Sequence, residues 1–462
     1  MGYRLREYAA ESKFINELTL EAIAQAVPLA EVKAALQEEQ VQEGRERKLN
    51  MVSTLFLVIA MSIYTRLSIG DVMRKLAQGL RFVWRDPNHR LAKDSALTYR
   101  RYQLGARPVV RLFHRVCRPM TTQDTRGAFL FGLRLMAIDG TIEDAPDTPE
   151  NDSAFGRQHG SRGDSAFPQV QGVYLAECGS HAIVDAGFWP YHVSERVGGF
   201  RMLRSIEPGM LVMWDRGFHA YEMIARAQQR GAQVLSRLPA HVKPKRIRTL
   251  ADGSYLAYLR PSDYPRRKRG ERLLVRVIEY TLTDPALPGC GETHRLVTTL
   301  LDSEPYPALD LACAYHERWE IEIVIDEVDT HQRLAGRPLR SLKPVGIIQE
   351  LYGLLIAHYA IRFLMHEAAL QADLDPDRLS FVHALRVIAD AVPEFQMIAF
   401  SQMTHLYHRL LEDIADGRIP ERRLRSNPRV VKRKMSNFRL KRPEHQHWPQ
   451  PTLSFRQAVA LI

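Results

Sequence analysis

Cysteine is scarce. The 462 residues hold four, Cys117, Cys178, Cys290 and Cys313, with no C-x-x-C pair among them. That scatter excludes a disulfide framework and a zinc knuckle and points to a reducing compartment. Long apolar runs are missing too. The best candidate, residues 55–63 (LFLVIAMSI), falls well short of the ~20 residues a bilayer span needs, so it reads as a buried helix and no membrane partner is expected. The opening MGYRLREYAAESKF lacks the apolar core of a signal peptide. No repeat of fixed period appears, which excludes solenoids and propellers.

What is present is an ordinary globular composition with an uneven charge. Hydrophobic residues make up 45% and charged residues 25%, enough to build a sizeable core, and the length suits two to four domains of roughly 150 residues each. Net charge is +11. Residues 418–442 hold 11 Lys/Arg against one acid, Glu421, a local +10, so the remainder nearly balances. A second cluster, PRRKRGER, covers residues 265–272. Basic segments on a balanced chain are either solvated surface or the footprint of a polyanion. In the tail, Lys432, Arg433 and Lys434 are the candidate DNA contacts.

Residues 1–125 read as helical. Asn50 to Leu80 has helical spacing, with Gly70-Asp71 opening a new turn. In DSALTYRRYQLGARPVVRLFHRV, Asp94 or Ser95 can cap one helix, Gly105 can end it, and Pro108 can start the next. Two helices joined this tightly suit a helix-turn-helix. Arg107, Arg111 and Arg115 follow at i, i+4, i+8, so the second helix carries a basic face able to enter a major groove, although arginine-bearing helical hairpins are common. From about 128 the apolar period becomes that of strands. Runs at 133–138, 170–176 and 182–187 read as strands, the last two joined by a turn at Cys178-Gly179-Ser180. A helix at 195–205, a strand at 210–214, a helix at 220–230 and a strand at 233–238 follow. The pattern predicts an α/β fold, a mixed sheet with flanking helices. Residues 240–305 alternate as strands and read as a β-rich insertion. Helices return at 309–334, 345–371, 376–391 and 396–416, and the tail from 418 reads as extended or partly disordered.

The chemistry-bearing stretch is YHERWEIEIVIDEVDTHQRL, residues 315–334. On a helix, Tyr315, Arg318 and Glu322 share one face, while Ile321, Val324, Ile325 and Val328 form an apolar one. Upstream, Asp139 (LRLMAIDGT) and Asp215 (GMLVMWDRGF) end apolar strand runs. A single acid in such a place is most often a loop or surface charge. Three acids placed on strand, strand and helix are what phosphodiester chemistry asks for, since two Mg²⁺ ions need hard carboxylate oxygens and can activate water while stabilising a leaving oxyanion.

On these residues the sequence resembles the insertion-sequence-four type of DDE transposase, with a ribonuclease H-like core. AIDGTIEDAPDTPENDSAFG surrounds Asp139, GMLVMWDRGFHAYE surrounds Asp215, and YHERWEIE carries the Tyr-x2-Arg-x3-Glu signature. The resemblance spans about residues 20–450, and the family's β-rich insertion falls in the 322 − 215 = 107 residues between Asp215 and Glu322. It implies an N-terminal DNA-end-binding domain (1–125), a catalytic core (126–239 and 306–345) split by the insertion (240–305), a helical region (346–417) and a basic tail (418–462). Asp139, Asp215 and Glu322 would bind two Mg²⁺, with Mn²⁺ able to substitute. Tyr315 and Arg318 would position phosphates, with Arg216 a weaker candidate that reads equally as a surface arginine. The implied partners are double-stranded DNA, both terminal inverted repeats and target, and a second copy as a homodimer on paired ends. The implied location is cytoplasmic and nucleoid-associated. The implied activity is cleavage and strand transfer; the alternative is an impaired copy acting as a DNA-binding repressor.

Two departures qualify the match. The signature expects Lys seven residues after the Glu, where this chain has Asp329, with Asp326 one turn earlier. Lys343 or Arg333 would have to substitute. No Trp lies in 240–305, so a stacking role there would fall to Tyr255, Tyr258 or Tyr280, each of which reads equally as strand packing. Trp319 is expected to pack its helix against the sheet.

Overall fold

The computed structural model describes residues 2–41, 43, 49–86, 88–160, 163–333, 336–420, 430–431 and 439–462. Lys432, Arg433 and Lys434 lie outside them. The helices α1 (Leu29–Glu38), α2 (Met51–Ile63), α3 (Ile69–Leu76), α4 (Gln78–Val83), α5 (Asp94–Leu104) and α6 (Arg107–Val116) come first. Then follow β1 (Leu133–Asp144), α7 (Pro149–Phe155), β2 (Gln169–Glu177), β3 (Ile183–Pro190), α8 (Glu195–Met202), β4 (Met210–Trp214), α9 (Tyr221–Gln229) and β5 (Gln233–Arg237). The insertion supplies β6 (Arg246–Thr249), β7 (Tyr255–Leu259), α10 (Tyr264–Lys268), β8 (Leu273–Leu282) and β9 (His294–Thr298). The remainder is α11 (Ala308–Glu317), α12 (Trp319–Asp326), α13 (Pro344–Gln371), α14 (Phe381–Met397), α15 (Met403–Ala415) and β10 (Val459–Leu461). Three antiparallel strands, a helix, then strand–helix–strand with β4 and β5 parallel is the element order of a ribonuclease H-like core.

The chain divides into two compact units. One contains residues 1–129, 136–205 and 320–419, and the other residues 130–135, 206–319 and 420–462.

In the first unit, Asn50 caps α2 through Ser53 N at 2.7 Å and Ser68 caps α3 through Asp71 N at 3.2 Å, local signals that fix where each helix starts. The α5 helix begins at Asp94 itself. Its cap is Lys93, with no side-chain cap bond, so Asp94 acts as a first-turn acid rather than as the cap. Gly105 ends α5 at φ 70°, a left-handed conformation that favours glycine. The apolar α2, expected to be buried, is enclosed along nearly its whole length. Helix α13 is long and apolar enough to cross a membrane, yet most of it is covered by protein, as for a core helix. Gly353 explains how closely α13 and α2 pack: a Cβ there would come within 2.9 Å of Val58 Cγ1. Strands β1, β2 and β3 form an antiparallel meander with Asp139 opposite Tyr174.

Asp139 does not end its strand. Pairing with β2 runs on to Asp144 opposite Gln169, because this half of β1 is only partly buried and tolerates polar residues.

In the second unit, β4 and β5 pair in parallel. The expected insertion strands extend that sheet antiparallel in the order β5, β9, β8, β7, β6. The buried Arg276 joins the insertion to the start of α11. It pairs with Asp252 and donates to Tyr306 O at 2.6 Å, while Asp252 accepts from Ala308 N at 2.9 Å. The C-terminal residues return to this unit. There β10 pairs with β8, Phe455 stacks on His316 at 4.0 Å, and Arg456 bonds Asp310 at 2.7 Å.

The helix expected over 309–334 is interrupted. Helix α11 ends at Glu317, α12 runs from Trp319 to Asp326, and Glu327–Gln332 is π-helical. Gln332 holds the wider turn, donating to Ser62 O at 3.2 Å and Leu354 O at 3.1 Å. Trp319 does not pack inward either. It is 45% exposed, while α12 turns Glu320, Ile321 and Val324 inward.

Candidate active site

Asp215 follows the buried β4 directly and begins a short 3-10 turn, where its Oδ1 accepts from Gly217 N at 2.7 Å. The strand delivers the carboxylate and the turn orients it. Tyr315, in the same unit, is buried, and its hydroxyl reaches Trp214 O at 3.4 Å, the carbonyl just before Asp215. Burial raises the Tyr315 phenol to about 12, Arg318 opposes the rise and Asp215 adds to it. So this tyrosine touches the chain one residue before Asp215. Arg318 is also buried, with its guanidinium 5.8 Å from the Tyr315 ring and 5.9 Å from that of Trp319. Arg216 is exposed.

Asp139 and Glu322 belong to the other unit, on β1 and α12. Asp139 Oδ1 accepts from Gly140 N at 2.9 Å. Asp329 is turned toward β1, and its Oδ2 accepts from Thr141 Oγ1 at 2.8 Å. Burial lifts its carboxyl to about 6, against the Thr141 bond and helped by the Asp326 charge. The two residues proposed to stand in for the missing Lys are engaged elsewhere. Arg333 is ion-paired with the buried Glu143, and Lys343 lies 5.4 Å from the Tyr102 ring.

Helix α6 buries Val109, Leu112, Phe113 and Val116. Its arginines face glutamates of and just beyond α1. Arg115 pairs with Glu31 at 2.6 Å and Arg111 with Glu39 at 3.0 Å, whereas the Arg107 side chain is 90% exposed and 3.8 Å from Glu39. The basic face read from the sequence is thus largely neutralised locally. In the 265–272 cluster, Arg266 likewise pairs with Glu222 at 2.8 Å and Glu271 at 2.7 Å. Of the insertion tyrosines, Tyr255 and Tyr280 are buried strand-packing residues, and Tyr258 lies under Arg272 at 4.2 Å.

One charged centre was not expected. His181, at φ 61° in the turn between β2 and β3, directs Nε2 to Glu320 at 2.9 Å and to Asp377 at 3.3 Å. Behind it, Glu327 accepts from Arg362 Nε at 2.9 Å and meets His358 Nε2 at 3.1 Å. Burial and Arg362 both push the His181 pKa down, but Asp377, Glu320 and Glu327 outweigh them and raise it to about 9. This imidazolium-centred network is a structural ion cluster. The only sequence signal for it was helical spacing, Glu320 with Glu327 and His358 with Arg362.

Asp139, Asp215 and Glu322 offer carboxylate oxygens alone, a donor set that fits a hard divalent cation. Comparison with known proteins gives the family. Residues 17–114 match the family model of the insertion element 4 transposase N-terminal region, and residues 130–360 match that of the transposase DDE domain. The chain is similar to the transposase InsG for insertion sequence element IS4 of Escherichia coli (strain K12), at 26% identity over 407 residues, 87% of this chain and 89% of that one. It is also similar to the putative transposase InsZ of the same organism, at 33% identity over 182 residues, 37% of this chain and 57% of that one. Among solved structures, the piggyBac transposase synaptic complex with hairpin DNA aligns with a TM-score of 0.42 and 10% identity over 88% of this chain and 86% of that one.

Proposed function

The chain belongs to the DDE transposases of the insertion element 4 type, and we propose that it moves its element by cutting the element's ends and joining them to target DNA. The observation that carries this reading is the placement of three carboxylates within the DDE-domain match: Asp139 on a strand, Asp215 directly after one, Glu322 on a helix. These residues would hold two Mg²⁺, or Mn²⁺ in their place, and the bound ions would supply an activated water and stabilisation of the leaving oxyanion. Water hydrolyses one phosphodiester at the element's end, leaving a 3′-OH and a 5′-phosphate. The 3′-OH then attacks a target phosphodiester and displaces another 3′-OH.

The chain's own residues have separate tasks in this scheme. The Gly217 amide fixes Asp215, and the Tyr315 hydroxyl ties the preceding carbonyl to α11. Arg318 offers a planar fork matched to phosphate, and the exposed Arg216 adds a cation next to Asp215. Contact with the inverted repeats falls to α6, led by Arg107, with Arg111 and Arg115 exchanging their glutamates for phosphates, and to Lys432, Arg433 and Lys434. The working form is a homodimer on paired ends, in the cytoplasm at the nucleoid.

The repressor reading rested on Asp326 and Asp329. Asp329 accepts a hydrogen bond from β1 and Asp326 lies 3.3 Å from His331, so no observation now favours it. The test is cleavage of a duplex carrying the element boundary, in Mg²⁺ or Mn²⁺, beside the Asp215→Asn protein. Metal-dependent nicking lost in the variant, with end binding retained, is the expected result. Equal nicking by the variant would refute the site, and tight end binding by the wild type without nicking would restore the repressor.

A further inference from the structure

Asp139, Thr141 and Glu143 alternate along β1 and so share one face of the strand. The segment that follows Glu322, within the same unit, meets that face at two points. Thr141 Oγ1 donates to Asp329 Oδ2 at 2.8 Å. Two residues further along the strand, the buried Glu143 is ion-paired with Arg333. The far side of the turn is fixed as well, by Gln332 donating to α2 and α13 and by Thr65 Oγ1 donating to Gln332 O at 2.9 Å. Asp329 Oδ1 is buried without a hydrogen-bond partner, so this side chain is committed to the strand and not to solvent.

We infer that Asp329 and Arg333 are positioning residues: two rungs, Thr141–Asp329 and Glu143–Arg333, set the register between the strand carrying Asp139 and the helix carrying Glu322. The inference rests on the transposase reading and deepens it. It gives Asp329 a task unlike that of the phosphate-binding Lys the signature leads one to expect. A Lys there would remove the acceptor for Thr141 and bury an ammonium. The π-helical turn has a matching rationale, since an extra residue in the turn re-aims the segment's exit, where Arg333 meets Glu143.

The test is a double-mutant cycle in the full-length protein with Thr141→Val, Asp329→Leu and both together, with Asp329→Asn as the conservative variant. Four quantities are read: nicking rate at saturating end duplex, end affinity, the Mn²⁺ concentration for half-maximal nicking, and the thermal unfolding midpoint. Each single variant should slow nicking roughly tenfold to a hundredfold, the range expected when catalytic groups are misplaced by about 1 Å. The Mn²⁺ requirement should rise severalfold and end affinity should hold within about twofold. The double variant should be no slower than the slower single. Asp329→Asn should stay near wild type, because its amide oxygen still accepts from Thr141. Additive losses, or losses confined to end affinity, would overturn the inference, as would tighter end binding and faster nicking by Asp329→Lys. If the wild type nicks no end duplex, the proposed function fails, but the rung is still decided by the same cycle in thermal unfolding. Non-additive midpoints support it and additive ones overturn it.

Discussion

Asp329→Asn should stabilise the protein at neutral pH and leave it unchanged in acid. Burial raises the Asp329 carboxyl from its ordinary 3.8 to about 6. The unfolded chain therefore gives up this proton before the folded one does, and between about pH 4 and pH 6 the folded state binds more protons. Stability falls across that window as pH rises, the reverse of the usual salt-bridged aspartate. At about 1.36 kcal/mol per pH unit, the buried charge costs at most about 3 kcal/mol above pH 6.5. An amide has nearly the same shape, keeps an oxygen for Thr141 and carries no charge to desolvate. The difference between variant and wild type should then be near zero at pH 3.5, grow through pH 4–6 and level off above, at a few degrees in unfolding temperature. Calorimetry at steps between pH 3.5 and 8 measures this, and the other titrating groups cancel in the difference. A variant destabilised at pH 7.5, or a difference independent of pH, would refute the assignment of Asp329 as a buried carboxylate held against the strand.

Glu327→Gln should act in the opposite direction. It removes the anion facing Arg362, His358 and His181 and leaves buried cations uncompensated, a loss of roughly 3–5 kcal/mol in unfolding free energy; a loss under about 1 kcal/mol would mean the network is not a structural centre. The raised His181 pKa adds a pH signature. Its contribution is fully present below pH 6.5 and is lost as pH rises through about 9, so in Glu327→Gln that loss should move to lower pH. Replacing Lys432, Arg433 and Lys434 by Ala should weaken DNA binding alike for all sequences and flatten the log–log salt dependence by roughly 0.9 for each phosphate contact removed; an unaltered slope, read by fluorescence anisotropy in a salt series, would make these residues bystanders. Arg107→Ala should lower end affinity with the nicking rate at saturating DNA unchanged, since the exposed Arg107 is the least committed arginine of α6; unchanged affinity would remove α6 from the DNA interface.

What could be read from the sequence was set by period and by local turn chemistry. The strands expected at 210–214 and 233–238, the end of α5 at Gly105 and the strands of the β-rich insertion follow from residues adjacent in the chain. Three things were hidden because their partners are distant in sequence. The arginines of α6 looked like a free basic face, but a helix's charge is set by what packs beside it, here glutamates about 70–85 residues earlier. The 309–334 segment kept helical period through its π turn, because the wide turn is enforced by Gln332 reaching α2 and α13 rather than by any residue with poor helix propensity. Asp329 looked like a defect when judged against a signature alone. Its partner is Thr141, 188 residues away, and only that pairing turns an apparent loss of DNA contact into a gain of internal register. A signature records which residue types recur at a spacing, whereas burial decides what each one touches. A departure at a half-buried position therefore argues for a changed contact before it argues for lost activity.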